Sequence, residues 1–397
     1  MFSEERIIVN DIKKKSKKDT IMKAVLTNAV YILLGAFLGL GVIWPFNAMS
    51  DSKAINSIAV VAVFIPSMVF SYVFHIVAHE FGHVILGKLT GYEFYSYRIF
   101  SFMFVKNEGK WKMQKYSIPG TLGQAIMLPP EKKNGTFPWF WYNVGGCLMN
   151  ITLSLIALML YFFIPRLSFV IGIILLTFSV FGFLLGLSNL IPFNGFLASN
   201  DGNNILAIYK DEIAKDCFYR QLYLAGELMR NKSYKEMPKE FFQLPKEANL
   251  RYALVLSIKT FELEYNYEIE DYDAAVKLLN ELNQVEGLPK FMQWGIDLER
   301  LFIECMQGPR EEIVEKLCTK ELLEFLKQGK TMLDIQRVNV AYEALYHKDR
   351  ESATKSYHKA LQLVEQYPLK GKVNIEKRFL EMIMNKMKED NRLNLET

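Results

Sequence analysis

Four runs of this chain are long and apolar enough to cross a bilayer, which takes about 20 residues of helix. They extend from Ala24 to Phe46, from Ile55 to Leu89, from Phe137 to Ile164 and from Ser168 to Phe193. Backbone in hydrocarbon must satisfy its own hydrogen bonds, so runs of this kind form helices or closed barrels, and their length selects helices. The first run follows a lysine cluster between Lys13 and Lys23 and shows no small-residue cleavage site, so it is expected to stay as an anchor. Arg98, Lys106, Lys110, Lys112, Lys115, Lys132 and Lys133 crowd the connection from Gly91 to Thr136, whereas the turns near Asp51 and Arg166 hold one basic residue each. This bias predicts that both termini are cytoplasmic. The formal charge of +4 is too mild to imply a nucleic-acid partner.

The second run ends in His79-Glu80-Phe81-Gly82-His83. Residues four apart share one face of a helix, so two imidazoles can hold one zinc ion while the intervening glutamate activates water. Ionisable groups at membrane depth cost on the order of 2.5 to 3.5 kcal/mol each, and they persist mainly where they have partners or a function. His75 lies one turn earlier on the same face. From His75 to His83 a helix rises about 12 Å, against a zinc–nitrogen bond of about 2 Å, so a single ion does not take all three. His75 is read as a residue that packs beside the site. A catalytic zinc needs a third protein ligand, and the residues alone leave Asp201, Glu93, Glu131 and Asp211 open. The inferred topology brings the ends of the second and fourth runs to one depth and excludes Asp51.

The four cysteines, Cys147, Cys217, Cys305 and Cys318, lack CxxC spacing and are read as reduced packing residues. Between the second and third runs, alternating aromatic and polar residues at Tyr92–Arg98 and near Phe102–Val105 and Trp111–Tyr116, with a turn signal at Lys106-Asn107-Glu108-Gly109, predict a small β-hairpin. From about Ile205 the pattern becomes that of a soluble helical domain. Tyr272–Leu279 and Ser352–Leu361, and more weakly Tyr234–Phe241, have the spacing of the second helix of a tetratricopeptide-like pair. The expected fold is therefore an all-α membrane protein with about four transmembrane helices and a β-hairpin insertion over residues 1–204, followed by an α-helical repeat domain over 205–397.

At the base of the fourth run the chain reads Asn189-Leu190-Ile191-Pro192, then Asn200-Asp201-Gly202, and the third run contains Gly145-Gly146-Cys147-Leu148-Met149-Asn150. With the HExxH pentad, these segments resemble the site-2 protease family of intramembrane zinc metalloproteases over roughly Val60 to Asn204. That resemblance implies one zinc ion per chain, with Asp201 as third ligand beside His79 and His83. The interval from Pro192 to Asp201 is longer than the family's, with eight residues between them. The extra chain must loop or unwind. Ser117–Leu128 is similar to the family's glycine-containing loop near the active site, where an exposed edge can pair with an unwound substrate.

The expected activity is hydrolysis of peptide bonds in or near transmembrane segments or leader-peptide remnants, with Glu80 as general base and Asn150 and Asn189 as candidate oxyanion donors. Expected partners are the lipid bilayer, a membrane-protein or leader-peptide substrate, and a protein or peptide on the C-terminal domain; the expected location is a bacterial cell membrane. A different class of reading is a non-proteolytic membrane scaffold or peptide-immunity protein with a structural zinc site and a partner-binding helical array. Glu80 separates the two readings, because a structural zinc needs no general base.

Overall fold

The computed structural model describes residues 6–7, 57–107, 110–192 and 199–396. The first apolar run, Asp51, the tip of the Lys106–Gly109 turn and residues 193–198 lie outside them. The structure is 69% helical, and among the described residues three helices are long and apolar enough to cross a membrane and one small sheet is present.

The apolar helices are α1 (Ser57–Leu89), α2 (Trp139–Phe163) and α3 (Phe169–Leu190). They pack against one another through small residues. A Cβ at Gly82 of α1 would fall 2.3 Å from the carbonyl oxygen of Gly145 on α2, so the two backbones touch where only hydrogen fits. Their outer faces carry Val69, Phe70, Phe81, Leu155, Met159 and Ile171, all exposed, which is the surface a lipid environment would cover. Ser168 caps α3 by accepting a hydrogen bond from the Ile171 amide.

Between α1 and α2 the chain forms β1 (Glu93–Ile99), β2 (Phe102–Asn107), β3 (Lys110–Lys115) and β4 (Gly123–Leu128) in the order β3-β2-β1-β4, all antiparallel. The hairpin expected from the aromatic alternation is thus part of a four-stranded sheet. The added strand comes from the glycine-containing segment, whose Gly123 pairs with Ile99 and whose Leu128 pairs with Glu93. Buried Arg98 fastens its entry by donating to the carbonyls of Phe100 and Gly123 and to the Thr121 hydroxyl.

Beyond α3 come α4 (Asp201–Lys210) and α5 (Glu212–Met229), then an array of α6 (Ala253–Glu268), α7 (Tyr272–Leu282), α8 (Lys290–Gln307), α9 (Glu311–Leu317), α10 (Lys320–Gln328), α11 (Leu333–Ala341), α12 (Arg350–Gln366) and α13 (Val373–Glu396). The 204/205 boundary read from the hydropathy change falls inside α4. Two expected array helices are α7 and α12, capped by Asp271 and Asp349. Tyr234–Phe241 instead forms two short 3-10 turns, because Pro238 between them has no amide hydrogen to continue a helix. One apolar cluster runs from Val84, Met127 and Tyr142 through Phe218 and Leu222 into Leu256 and Phe302, so the array packs onto the sheet and the base of the apolar helices. The Ser117 amide donates to the Thr331 hydroxyl across this junction at 2.9 Å.

Candidate metal centre

His79 and His83 project from one face of α1 toward α2, with their Nε2 atoms 3.2 Å apart. Asp201 approaches from the first turn of α4, its Oδ2 being 3.0 Å from His79 Nε2 and 3.5 Å from His83 Nε2. A tetrahedral ion with bonds of about 2.0 Å would have ligand–ligand edges of about 3.3 Å. The three separations match that edge.

The outer hydrogen bonds fix which lone pairs face inward. His83 Nδ1 lies 2.7 Å from the Tyr142 carbonyl, which can only accept, so Nδ1 carries the proton and a neutral ring presents Nε2 as a lone pair. Asn150 sits between His79 Nδ1 and His75 Nδ1, at 3.4 and 3.2 Å. His75 Nε2 donates to the Phe178 carbonyl at 2.9 Å, which leaves Nδ1 of a neutral His75 as an acceptor. Amide oxygen and nitrogen are distinguished by such a network, and it calls for the Asn150 amide turned over, with its NH2 on His75 and its oxygen accepting from His79 Nδ1. Both Nε2 lone pairs then converge on a carboxylate oxygen. Three acceptors within 3.5 Å repel unless a cation lies among them.

Room for that cation is built by a missing side chain. A Cβ on Gly146 of α2 would lie 2.6 Å from both Nε2 atoms. The residues present therefore fit a zinc ion in donor type, spacing and space. Asp201 is held by its neighbours: Asn200 accepts from the Asn203 amide as helix cap and donates to the carbonyls of Ser188 and Ile191 at the end of α3. Gly202 is required because a Cβ there would sit 2.0 Å from the Leu190 carbonyl oxygen. The extra chain before Asp201 thus does not keep it from the histidines.

Glu80 lines the same cavity, about 610 Å³ in volume, with Gly123 of β4 against its carboxylate; a Cβ there would fall 2.4 Å from Oε1. Gln124 and Ala125 of the edge strand line the cavity too, as does Phe291 of α8. Asn189 also faces the cavity, and its amide donates to the Leu185 carbonyl one turn back. Asn150 is engaged by two imidazoles, which gives it a positioning geometry rather than an oxyanion one. Among the alternative ligands, Glu93 pairs with Arg230 at 2.7 Å and Asp211 caps α5, so neither reaches the centre.

Sequence reasoning missed Tyr142, whose carbonyl orients His83 and whose hydroxyl donates to the Ala125 carbonyl. It missed Arg98, which holds the strand that brings Gly123 against Glu80, whereas Cys147, read as a packing residue, is free and buried. No family model, curated protein or solved structure matches this chain.

Proposed function

We propose that this chain is an integral-membrane zinc metalloendopeptidase of the site-2 protease type, acting on peptide bonds in or near transmembrane segments or leader-peptide remnants. The observation that carries this reading is the convergence of His79, His83 and Asp201 beside the Glu80 carboxylate, at one end of an apolar helix and in a cavity able to hold a peptide. A purely structural centre would have no use for that glutamate.

His79, His83 and Asp201 would hold the ion, which when bound polarises a carbonyl and makes water acidic enough to lose a proton near neutral pH. Glu80 accepts that proton and returns it to the leaving amine. Tyr142 and Asn150 keep both imidazoles with their Nε2 lone pairs inward, so orientation does not have to be gained during the reaction. An extended substrate segment would lie along β4, the edge strand, where backbone hydrogen bonds hold it without demanding a sequence. Arg98 and Thr121 hold the start of that strand against Glu80.

In this reading α1, α2, α3 and the first apolar run span a bacterial cell membrane, with both termini and the helical array on the cytoplasmic side. The array, packed against the sheet, would recruit a protein or peptide partner and select substrates. The test is cleavage of a transmembrane peptide by purified protein in proteoliposomes, with and without chelator. Glu80→Gln keeps the side chain's shape but cannot take up the proton, so it should retain metal and lose at least about 100-fold in turnover. Unchanged turnover in that variant would end the protease reading.

A further inference from the structure

The helical array holds a short stretch of this chain's own N-terminal segment. Arg6 and Ile7 belong to no helix or strand and precede the first apolar run, yet they sit against the array. Ile7 is 2% exposed and joins the apolar cluster that fills the array. Carbonyls outside a helix or strand need other donors, and here side chains of two array elements supply them. Asn280 of α7 donates its amide to the Arg6 carbonyl at 3.1 Å, and Arg310 at the start of α9 donates Nη2 to the Ile7 carbonyl at 3.1 Å.

Arg310 is set in place by the array itself. Glu304 of α8 is fully buried, and a carboxylate there is costly unless it is paired. It accepts from Arg310 Nε and Nη2 at 2.8 and 2.7 Å and from the Arg310 amide at 3.0 Å. The planar fork directs the second Nη2 hydrogen at the Ile7 carbonyl. A side chain fixed in advance loses little freedom when a peptide arrives.

We infer that Asn280, Arg310 and the apolar recess around Ile7 form the peptide-receiving site of the array, and that the N-terminal segment occupies it in the resting protein. The inference rests on the recruiting role proposed for the array, and not on the metal centre. In the proposed topology the segment and the array lie on the same side of the membrane. The partner that fits is an unfolded peptide offering an aliphatic side chain beside two main-chain carbonyls; the hydrogen bonds read backbone, so the aliphatic residue carries the selectivity. Because the N-terminal segment is covalently attached, it competes at high effective concentration, and a partner in trans meets a site that is open only a fraction of the time. Recruitment then requires displacement of Arg6 and Ile7.

The experiment measures, by fluorescence anisotropy, the binding of a labelled peptide spanning residues 3–10 to the full chain in detergent. The Ile7→Asp chain, whose own segment no longer docks, should bind the peptide at least about 10-fold more tightly than wild type does. The milder Ile7→Ala chain should tighten binding in the same direction, so that a fold disturbed by the buried charge does not decide the result. Adding Asn280→Ala to the opened chain should weaken binding about 5-fold, the loss expected for one hydrogen bond, and a peptide carrying Ile7→Asp should not bind. Equal affinity of wild type and both opened chains, no peptide binding to either opened chain, or undiminished binding of the Ile7→Asp peptide would overturn the inference. Neither metal nor cleavage enters the readout, so that failure would leave the protease reading standing, and the site is detected whether or not the chain cleaves a substrate.

Discussion

Replacing Gly146 by alanine tests the cavity among the three donors more sharply than removing a ligand does, because every donor stays in place. The new Cβ would lie 2.6 Å from His79 Nε2 and His83 Nε2, about 1 Å inside ordinary contact distance. Overpacking of this kind costs about 1 to 3 kcal/mol. Here the strain falls on the two ring atoms that bind the ion, and at 1.4 kcal/mol per tenfold it converts to a zinc affinity weaker by about 5- to 150-fold. Disturbed outer contacts at metal sites lose affinity on the same scale, roughly 10- to 100-fold. Gly145→Ala is the contrast, since its Cβ would meet the Gly82 carbonyl oxygen at 2.6 Å and force the helices apart. That change should lower thermal stability with or without metal. Competition against a chromophoric chelator reads the first effect and thermal unfolding in detergent reads the second. Wild-type zinc affinity in Gly146→Ala, or identical behaviour of the two variants, would refute the placement of the ion beside Gly146.

Two further outcomes follow, one at the start of α4 and one in the helical array. Gly202→Ala should displace the start of α4 from the Leu190 carbonyl, costing on the order of 1 to 3 kcal/mol of stability and lowering zinc occupancy through Asp201, as read by unfolding and metal analysis; full zinc occupancy would count against the helix-start account of that ligand. In the array, Arg337 and Lys372 are buried among Glu264, Glu299, Asp334 and Glu376, so four acids face two cations. Burial pushes Glu376 up to about 7, against the pull of Arg337 and Lys372. A raised carboxyl stabilises the fold below its ordinary pKa and loses that contribution as pH rises through the folded value, so wild type should lose on the order of 3 kcal/mol between about pH 4.5 and 7 relative to Glu376→Gln. Parallel pH profiles of unfolding for the two proteins would refute it.

The parts of this architecture that depend on local pattern were legible in the sequence. Helical spacing alone puts His79 and His83 together, and apolar length alone marks α1, α2 and α3. Alternation revealed β1 to β3, but β4 carries Gly123 and Gln124 where alternation would show, and its pairing with β1 is a long-range contact. Asp201 was singled out among four acidic candidates only by the resemblance of its Asp-Gly context to the site-2 protease family, whereas the reason for Gly202 is a carbonyl on a different helix. Asn150 shows why position is not role: a polar side chain within an apolar run draws attention, yet only its neighbours His75 and His79 reveal that its geometry is a positioning one.

The measurement that bears most directly on the metal centre is the zinc content of the purified chain and of three single variants, by elemental analysis after exhaustive dialysis. One zinc per chain is expected in the wild type, almost none in His79→Ala and His83→Ala, and a marked loss in Asp201→Ala with the helical content unchanged. A wild-type chain without stoichiometric metal, or full retention of zinc in Asp201→Ala, would contradict the account.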